Sequence, residues 1–409
     1  MKFKQPMLLD GATGTNLFKA GMPAGVCAEQ WLLDHPQAIL GLQRDYVAAG
    51  SDVLTAPTFE SNRYKLADHG FGGRVFEFNK KLVALSREAA DGKALVAGNM
   101  APAGIFIEPF GDETFDGLID IYREQAFALK EAGVDYIACE TFMSLPEARA
   151  ALLAAKETGL PVTVTLTVDE SGRTLSGGDL LANLVTLAAM GAAAVGLNCS
   201  TGPEIIKTAL SGVAQHIPVP LIAKPNAGVP GKVEQSLSPE QFAAFFPNLA
   251  ENGVSIFGGC CGTEPAHIAC LRKTLKNLPC KPCRTEDGAQ ADGVRDFIAA
   301  NEKQAFFLSE EDLEFSHRIP CDAQLGDQLL ELEGGNRAAR VVINNLEDAH
   351  EFGMNAYLAS VPVVLLGHDG QALAEAVKLY NGRALIDSKS DLPRAQLDAI
   401  SALYGAVVL

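Results

Sequence analysis

Short apolar runs recur through the first 261 residues, most of them followed by an amphipathic helical stretch. They are Met7-Leu8-Leu9-Asp10, Asp52-Val53-Leu54-Thr55, Ala94-Leu95-Val96-Ala97-Gly98 and Tyr136-Ile137-Ala138-Cys139-Glu140. Val162-Thr163-Val164-Thr165-Leu166, Ala194-Val195-Gly196-Leu197-Asn198-Cys199, Pro220-Leu221-Ile222-Ala223-Lys224 and Val254-Ser255-Ile256-Phe257 follow. Between them lie helical patterns such as Phe115 to Ala132 and Leu145 to Thr158, the latter rich in Ala, Leu, Glu and Lys. Strands alternating with helices predict a parallel sheet. Eight such units in about 260 residues predict a closed (β/α)8 TIM barrel. The competing open, doubly wound sheet lacks support: no G-x-G-x-x-G follows the first strand and no Walker-type loop is present.

The texture changes after Leu278. Residues 281–324 carry Pro, Gly, Lys, Arg and the acidic run Glu310-Glu311-Asp312-Leu313-Glu314, and read as a linker with a helix candidate at Gly293 to Gln304. From 325 to 409 a small α/β pattern resumes, with strand candidates Arg340 to Asn344, Pro362 to Leu366 and Arg383 to Asp387 and a final apolar run, Ala406-Val407-Val408-Leu409. The expected partition is therefore a barrel over 1–280, a linker, and a small C-terminal α/β domain.

Net charge is −17 and the sequence pI about 4.9. That argues against nucleic-acid or anionic-membrane partners, which select basic faces. The two N-terminal lysines are not followed by the apolar core of a signal peptide, and no stretch approaches the run of about 18 apolar residues that spans a bilayer. A cytoplasmic protein is expected. The nine cysteines should then be mostly reduced, and the odd count does not suit a disulfide framework. Cys27, Cys139, Cys270 and Cys321 stand alone, as buried free thiols often do. Cys280 and Cys283 form a Cys-Lys-Pro-Cys step without a matching second pair.

Working residues of parallel barrels gather at the carboxyl ends of the strands. Those ends carry Asp10, Glu140, Cys199 and the doublet in Gly258-Gly259-Cys260-Cys261-Gly262. Glycines let the backbone turn sharply enough for adjacent thiolates to face one ion. With Cys199 they make three thiolate ligands, which favour Zn²⁺ and leave its fourth tetrahedral position open, as in catalytic sites. The competing reading is three buried, unliganded thiols. An open three-thiolate zinc suits activation of a thiol substrate, because coordination deprotonates a thiol outright. Zinc-hydroxide hydrolysis usually employs His and carboxylate ligands, and the one nearby histidine, His267, reads as a helix cap or surface residue. Asp10 and Glu140 suit an ammonium group, although salt bridges at the barrel mouth, or a turn cap at Asp10, would also explain them. The N–H groups of Gly11, Ala12 and Thr13 suit a carboxylate if a helix starts there. Together these features describe a small thiol amino acid as ligand.

On these residues the chain resembles the homocysteine S-methyltransferase family, and in particular the homocysteine-binding module of cobalamin-dependent methionine synthases. The matching segments are Asp10-Gly11-Ala12-Thr13-Gly14-Thr15, Thr58-Phe59 with Asn62-Arg63, Pro102-Ala103-Gly104 with Glu108-Pro109, and Glu140-Thr141-Phe142. Gly196-Leu197-Asn198-Cys199-Ser200 with Gly202-Pro203, Pro225-Asn226-Ala227-Gly228 and Phe257-Gly258-Gly259-Cys260-Cys261-Gly262-Thr263 complete the set, in order through residues 7 to 275. The resemblance implies Cys199, Cys260 and Cys261 as zinc ligands. It also implies Asp10 and Glu140 beside the substrate amino group, with Gly11, Ala12 and Asn198 in the same pocket. The Pro-Asn-Ala-Gly and Asn-Cys-Ser forms are similar to those of the corrinoid-dependent branch. Pro57 stands where that branch usually carries asparagine.

The expected reaction is methyl transfer to homocysteine thiolate to give methionine, with Zn²⁺ as cofactor and a methyl-corrinoid on a separate protein as donor. The alternatives are a free donor (S-methylmethionine, a betaine or another sulfonium) or a non-catalytic subunit that binds zinc and homocysteine. The tail from Lys378 to Ser388 and from Tyr404 to Val408 is similar to part of a folate-binding barrel, but about 80 residues are too few for one. Asp348-Ala349-His350-Glu351-Phe352-Gly353 matches the spacing around a cobalt-ligating histidine, and His350 reads as an ordinary helix residue.

Overall fold

Eight short strands, each led into by an apolar run, form one parallel sheet in the computed structural model, which describes residues 4–200, 202–228, 236–276, 278, 295–332 and 337–409. They are β1 (Met7–Leu8), β2 (Val53–Thr55), β3 (Leu95–Met100), β4 (Tyr136–Phe142), β5 (Val162–Leu166), β6 (Ala194–Cys199), β7 (Leu221–Pro225) and β8 (Val254–Phe257). Their order, β1-β8-β7-β6-β5-β4-β3-β2, is that of a (β/α)8 barrel. No backbone ladder joins β1 to β2. Carboxylates close that seam instead: Asp52 donates its N–H to the Leu8 carbonyl (2.7 Å), and its side chain accepts the Leu8 N–H (2.8 Å). At the other end Asp10 takes the Thr55 N–H and hydroxyl (2.7 and 2.8 Å). Met7, Leu9, Val53, Ala97, Tyr136, Ala138, Ala194, Ile222 and Ile256 form a buried cluster contributed by these strands.

Helices form at Phe115–Ala132 and Leu145–Lys156, where the sequence pattern predicts them. Phe115–Ala132 starts on Thr114, whose hydroxyl accepts the Gly117 N–H (3.0 Å), and stops at Gly133 in the left-handed conformation (φ 83°). Leu118, Tyr122, Gln125 and Leu129 bury one face at helical spacing.

The remaining strands are β9 (Asp296–Asn301), β10 (Ala305–Ser309), β11 (Glu314–Pro320), β12 (Arg337–Ile343), β13 (Val363–Gly367), β14 (Gly382–Arg383), β15 (Leu385–Ile386) and β16 (Val407–Val408). Five of them make a parallel sheet, β11-β12-β13-β15-β16, and three an antiparallel one, β10-β9-β14. A parallel sheet wound in sequence order, with right-handed crossovers, places its helices on one face. The alternation of side chains follows from that. Val341, Val363, Leu365, Ile386 and Val408 pack with helix residues such as Phe352, Leu373 and Leu397. Ala338, Val364, Leu385 and Val407 pack with Phe297, Ala299, Phe306 and Leu308 of β9 and β10.

Of the stretch expected as a linker over 281–324, residues 281–294 lie outside the described residues; from Arg295 onward it carries β9, β10 and β11, and the helix candidate at Gly293 to Gln304 is a strand over Asp296–Asn301. The Ala-containing run of β9 is extended, because Asn301 Oδ1 accepts the N–H groups of Lys303 and Gln304 (2.9 and 2.8 Å) and turns the chain into a hairpin with the phenylalanine-rich β10. Compactness divides the chain into two units. One is drawn from Met1–Ile107, Glu113–Ser176 and Ala192–Cys283, the other from Glu108–Asp112, Gly177–Gly191 and Arg284–Leu409. The second therefore starts ahead of residue 325 and also takes in two earlier segments. The Cys280/Cys283 step lies outside the described residues, and His350 is an exposed residue of the helix Leu346–Asn355.

Candidate thiol and metal centre

The carboxyl end of β6 carries Cys199 in the left-handed region (φ 58°), followed by Ser200 in the same region (φ 56°). Non-glycine residues rarely adopt this conformation, and such strain collects at functional sites. The turn after β8 supplies the doublet. Cys260 donates its N–H to the Pro225 carbonyl (2.9 Å) at the end of β7, and the Cys261 carbonyl accepts from Ala227 (2.9 Å). Thr263 Oγ1 donates to the Cys260 carbonyl (2.7 Å) and accepts the Ala12 N–H (3.0 Å). A side chain at Gly259 would run into Thr263, its Cβ lying 2.8 Å from the threonine Cβ, so the turn needs glycine there.

These two segments bring the sulfurs of Cys199, Cys260 and Cys261 within 4.8 Å of one another. Three thiolates bonded to one Zn²⁺ at about 2.3 Å stand roughly 3.8 Å apart, so small side-chain rotations suffice to hold the ion. The donor set fits zinc. As free thiols they are hard to ionise. The hydrogen bond with Cys199, together with burial, pushes Cys260 up to about 12. For Cys261 the bond with Cys199 acts downward, but the bond with Cys260 and burial outweigh it and raise the thiol to about 11.

The cluster borders a cavity of about 300 Å³, also lined by Gly11, Ala12, Glu140, Asn198 and Lys224. Asn198 ties the strands together beneath it. Its Oδ1 accepts from Thr141 N (2.8 Å) and Thr165 Oγ1 (2.7 Å), and its Nδ2 donates to Thr141 Oγ1 (2.7 Å). Ala12 lines the wall, but its N–H is taken by Thr263 and its carbonyl accepts from Asn16 and Tyr46 (both 2.8 Å). The helix after it begins only at Gly14, with Thr13 as cap. His267 is a capping residue: Glu264 donates its N–H to His267 Nδ1 (3.1 Å).

The two carboxylates are both buried. Asp10 is spent on Thr55, and Glu140 Oε1 is ion-paired with Lys224 Nζ. Lys224, Thr55 and the buried Glu29, also at the cavity, are the residues sequence reasoning missed. For Lys224 a signal was present: a charged residue ending a strand of a parallel barrel. Burial is the main reason the Asp10 carboxyl titrates at about 6, against the pull of Lys224 and the Thr55 bonds.

A raised carboxyl keeps its proton in the folded state to a higher pH than in the unfolded chain. Its contribution to stability therefore falls as pH rises from about 4 to 6, by about 3 kcal/mol over two units. Asp10→Asn removes that component. Urea unfolding of both proteins should show the variant gaining on the parent across this window, and a difference independent of pH would refute the assignment.

Fold and site together define a (β/α)8-barrel protein with a three-thiol cluster at its working end. Residues 7–275 match the family model described as homocysteine S-methyltransferase, and the chain belongs to that family. As a member it is classed among the methyltransferases. It is 32% identical over 295 residues to methionine synthase of Mycobacterium tuberculosis, covering 66% of this chain and 25% of that protein. The methionine synthase of Mycobacterium leprae gives 30% over 312 residues, 71% of this chain and 25% of the relative. The chain thus spans about a quarter of the length of these relatives. Among solved structures, the metallated form of the homocysteine methyltransferase MmuM from Escherichia coli superposes with a TM-score of 0.56 at 26% identity, over 65% of this chain and 95% of that one. No described helix is long and apolar enough to cross a membrane.

Proposed function

We propose that the chain is a zinc-dependent S-methyltransferase that converts homocysteine to methionine, taking the methyl group from a methyl-corrinoid carried by a separate protein. The observation that carries the reading is the gathering of the Cys199, Cys260 and Cys261 sulfurs at the carboxyl end of the barrel. Those three residues would hold the ion, which when bound supplies a Lewis acid that keeps the acceptor sulfur ionised near neutral pH. The acceptor lies in the cavity with its sulfur at the cluster. Gly11, Ala12 and Asn198 wall its chain, and its amino-acid end faces Asp10 and Glu140. The acceptor sulfur displaces the methyl group directly: the S–C bond forms as the donor–C bond breaks, the electron pair leaves with the donor, and the thiol proton goes to solvent. The strapped Asn198–Thr141–Thr165 network fixes the floor against which the acceptor is oriented. A cytoplasmic setting belongs to this reading, because reduced thiols suit that compartment.

The corrinoid donor is supported by the Pro225-Asn226-Ala227-Gly228 and Asn198-Cys199-Ser200 forms, together with the likeness to two methionine synthases. The likeness to the homocysteine methyltransferase MmuM, 95% of which is covered, leaves a second reading, a free small donor. One assay separates them. The zinc-loaded chain and homocysteine are incubated with a methyl-corrinoid protein, with S-methylmethionine or with trimethylglycine, and methionine is measured. Turnover with the corrinoid protein at least about a hundredfold above either free donor is expected. Turnover with a free donor alone replaces the donor assignment, and homocysteine binding without turnover in any arm reduces the chain to a binding subunit.

A further inference from the structure

Lys224 is the last residue but one of β7, its side chain only 5% exposed, opposite Asn198 in the β6–β7 register and one residue before the Pro225 carbonyl that holds Cys260. A buried ammonium is stable only against matching anions. Here it has Glu140, to which it is ion-paired, with Asp10 as a further negative neighbour. The ion pair joins the carboxyl ends of β4 and β7 inside the cavity that also takes in the thiol cluster. With Asp10 already bonded twice by Thr55, the two carboxylates suited to an incoming ammonium are both engaged by groups of the protein. Asp10, Glu140 and Lys224 when ionised sum to one negative charge, not two.

An acceptor's ammonium gains from such a pair what the pair lacks when empty. In this chain the pair already has a cation, so the arriving ammonium must share Glu140 with Lys224, and its charge-assisted bond replaces an existing one. The acceptor's sulfur and hydrocarbon chain lose nothing by this, because the thiol cluster and the wall at Gly11 and Ala12 are untouched.

We propose that Lys224 is a specificity-determining residue that stands in for a substrate ammonium, so that the acceptors of this site extend to thiol carboxylic acids lacking an α-amino group. The inference rests on the thiol-methyltransferase reading above and names a substrate class within it. Homocysteine remains an acceptor, and the amino group stops being what selects it.

The test is calorimetric titration of the zinc-loaded 409-residue chain with homocysteine and with 4-mercaptobutanoate, its counterpart without the amino group. The wild-type chain should bind the two within about tenfold of each other. In Lys224→Met, which keeps the stem and removes the charge, Glu140 is left without its cation. The ratio should then shift toward homocysteine by roughly ten- to a hundredfold, the worth of one charge-assisted hydrogen bond. Lys224→Arg should keep the wild-type ratio. A merely structural lysine would weaken both ligands alike and leave the ratio unmoved. Preference for homocysteine beyond a hundredfold in the wild type overturns the inference whether or not the variants fold, as does an unchanged ratio in a folded Lys224→Met. A wild-type protein that binds neither thiol overturns the acceptor assignment itself.

Discussion

Alanine at Cys260 or Cys261 is expected to strip the protein of zinc and to lower methyl transfer by at least a thousandfold, while the barrel stays folded. Two thiolates cannot complete the ligand set of an open zinc site, and affinity at such sites depends on every deprotonated ligand. Zinc affinity should fall by two or more orders of magnitude, because no described carboxylate or histidine joins the three sulfurs as a substitute ligand. The fold survives because both side chains are half-buried at the cavity, not packed in the barrel interior, and because the turn around them is held by backbone bonds to Pro225, Ala227 and Asp10. Cys139→Ala and Cys270→Ala serve as controls: these thiols lie outside the cluster, so zinc should remain at about one ion per chain. Metal analysis after dialysis, with circular dichroism to verify folding, decides the matter. Full zinc in both doublet variants would remove the metal assignment, and activity that persists without zinc would remove the mechanism.

The barrel was legible because each of its strands is an apolar run bounded by polar turns, and a run ending at Asp10, Thr55, Gly98, Glu140, Leu166, Cys199, Lys224 or Phe257 has no alternative to burial. The helix Phe115–Ala132 was equally plain, with a cap at Thr114 and a glycine stop at Gly133. The hairpin of β9 and β10 was not. Alanine-containing sequence at 299–300 fits a helix locally, and what decides against it is the Asn301 turn and the burial of Phe297 with Phe306 and Leu308, a tertiary effect that local pattern does not carry. In the site, the thiols could be found from residue type and spacing, since two adjacent cysteines among glycines have few structural uses. Their partners could not. Asp10 reads as an anion waiting for a ligand until the barrel closes and sets Thr55 beside it. Glu140 reads likewise until β4 and β7, 84 residues apart at Glu140 and Lys224, come round to the same cavity. Sequence shows which groups can carry charge, and only closure of the barrel shows which of them already answer one another.

Gly196→Ala is expected to be the most damaging single methyl group in the barrel's parallel ladder, costing at least about 3 kcal/mol and with it the zinc site. Gly196 lies mid-strand in β6, three residues before Cys199, and pairs with Ile222 of β7, two residues before Lys224. A Cβ there would overlap the Ile222 carbonyl oxygen and stand 2.7 and 2.8 Å from the Ile222 N and C atoms, closer than real Cβ atoms come to anything. Overpacking usually costs about 1–3 kcal/mol when side chains can move aside. These obstructions are backbone atoms in a parallel ladder, so relief requires β6 and β7 to separate. Separation would pull Cys199 away from Cys260, whose N–H is anchored on the end of β7, and would open the Lys224–Glu140 pair. Gly98→Ala is the matched control: its Cβ would meet the ends of Leu129 and Val134 at 2.9 to 3.1 Å, which are side chains able to yield. A loss of about 1 kcal/mol and unchanged zinc content are expected there. Urea unfolding followed by tyrosine and tryptophan fluorescence, together with zinc analysis, compares the two. Equal midpoints for Gly196→Ala and Gly98→Ala would mean that the β6–β7 ladder can spread without cost, and that the geometry of the thiol cluster is set by its turn alone.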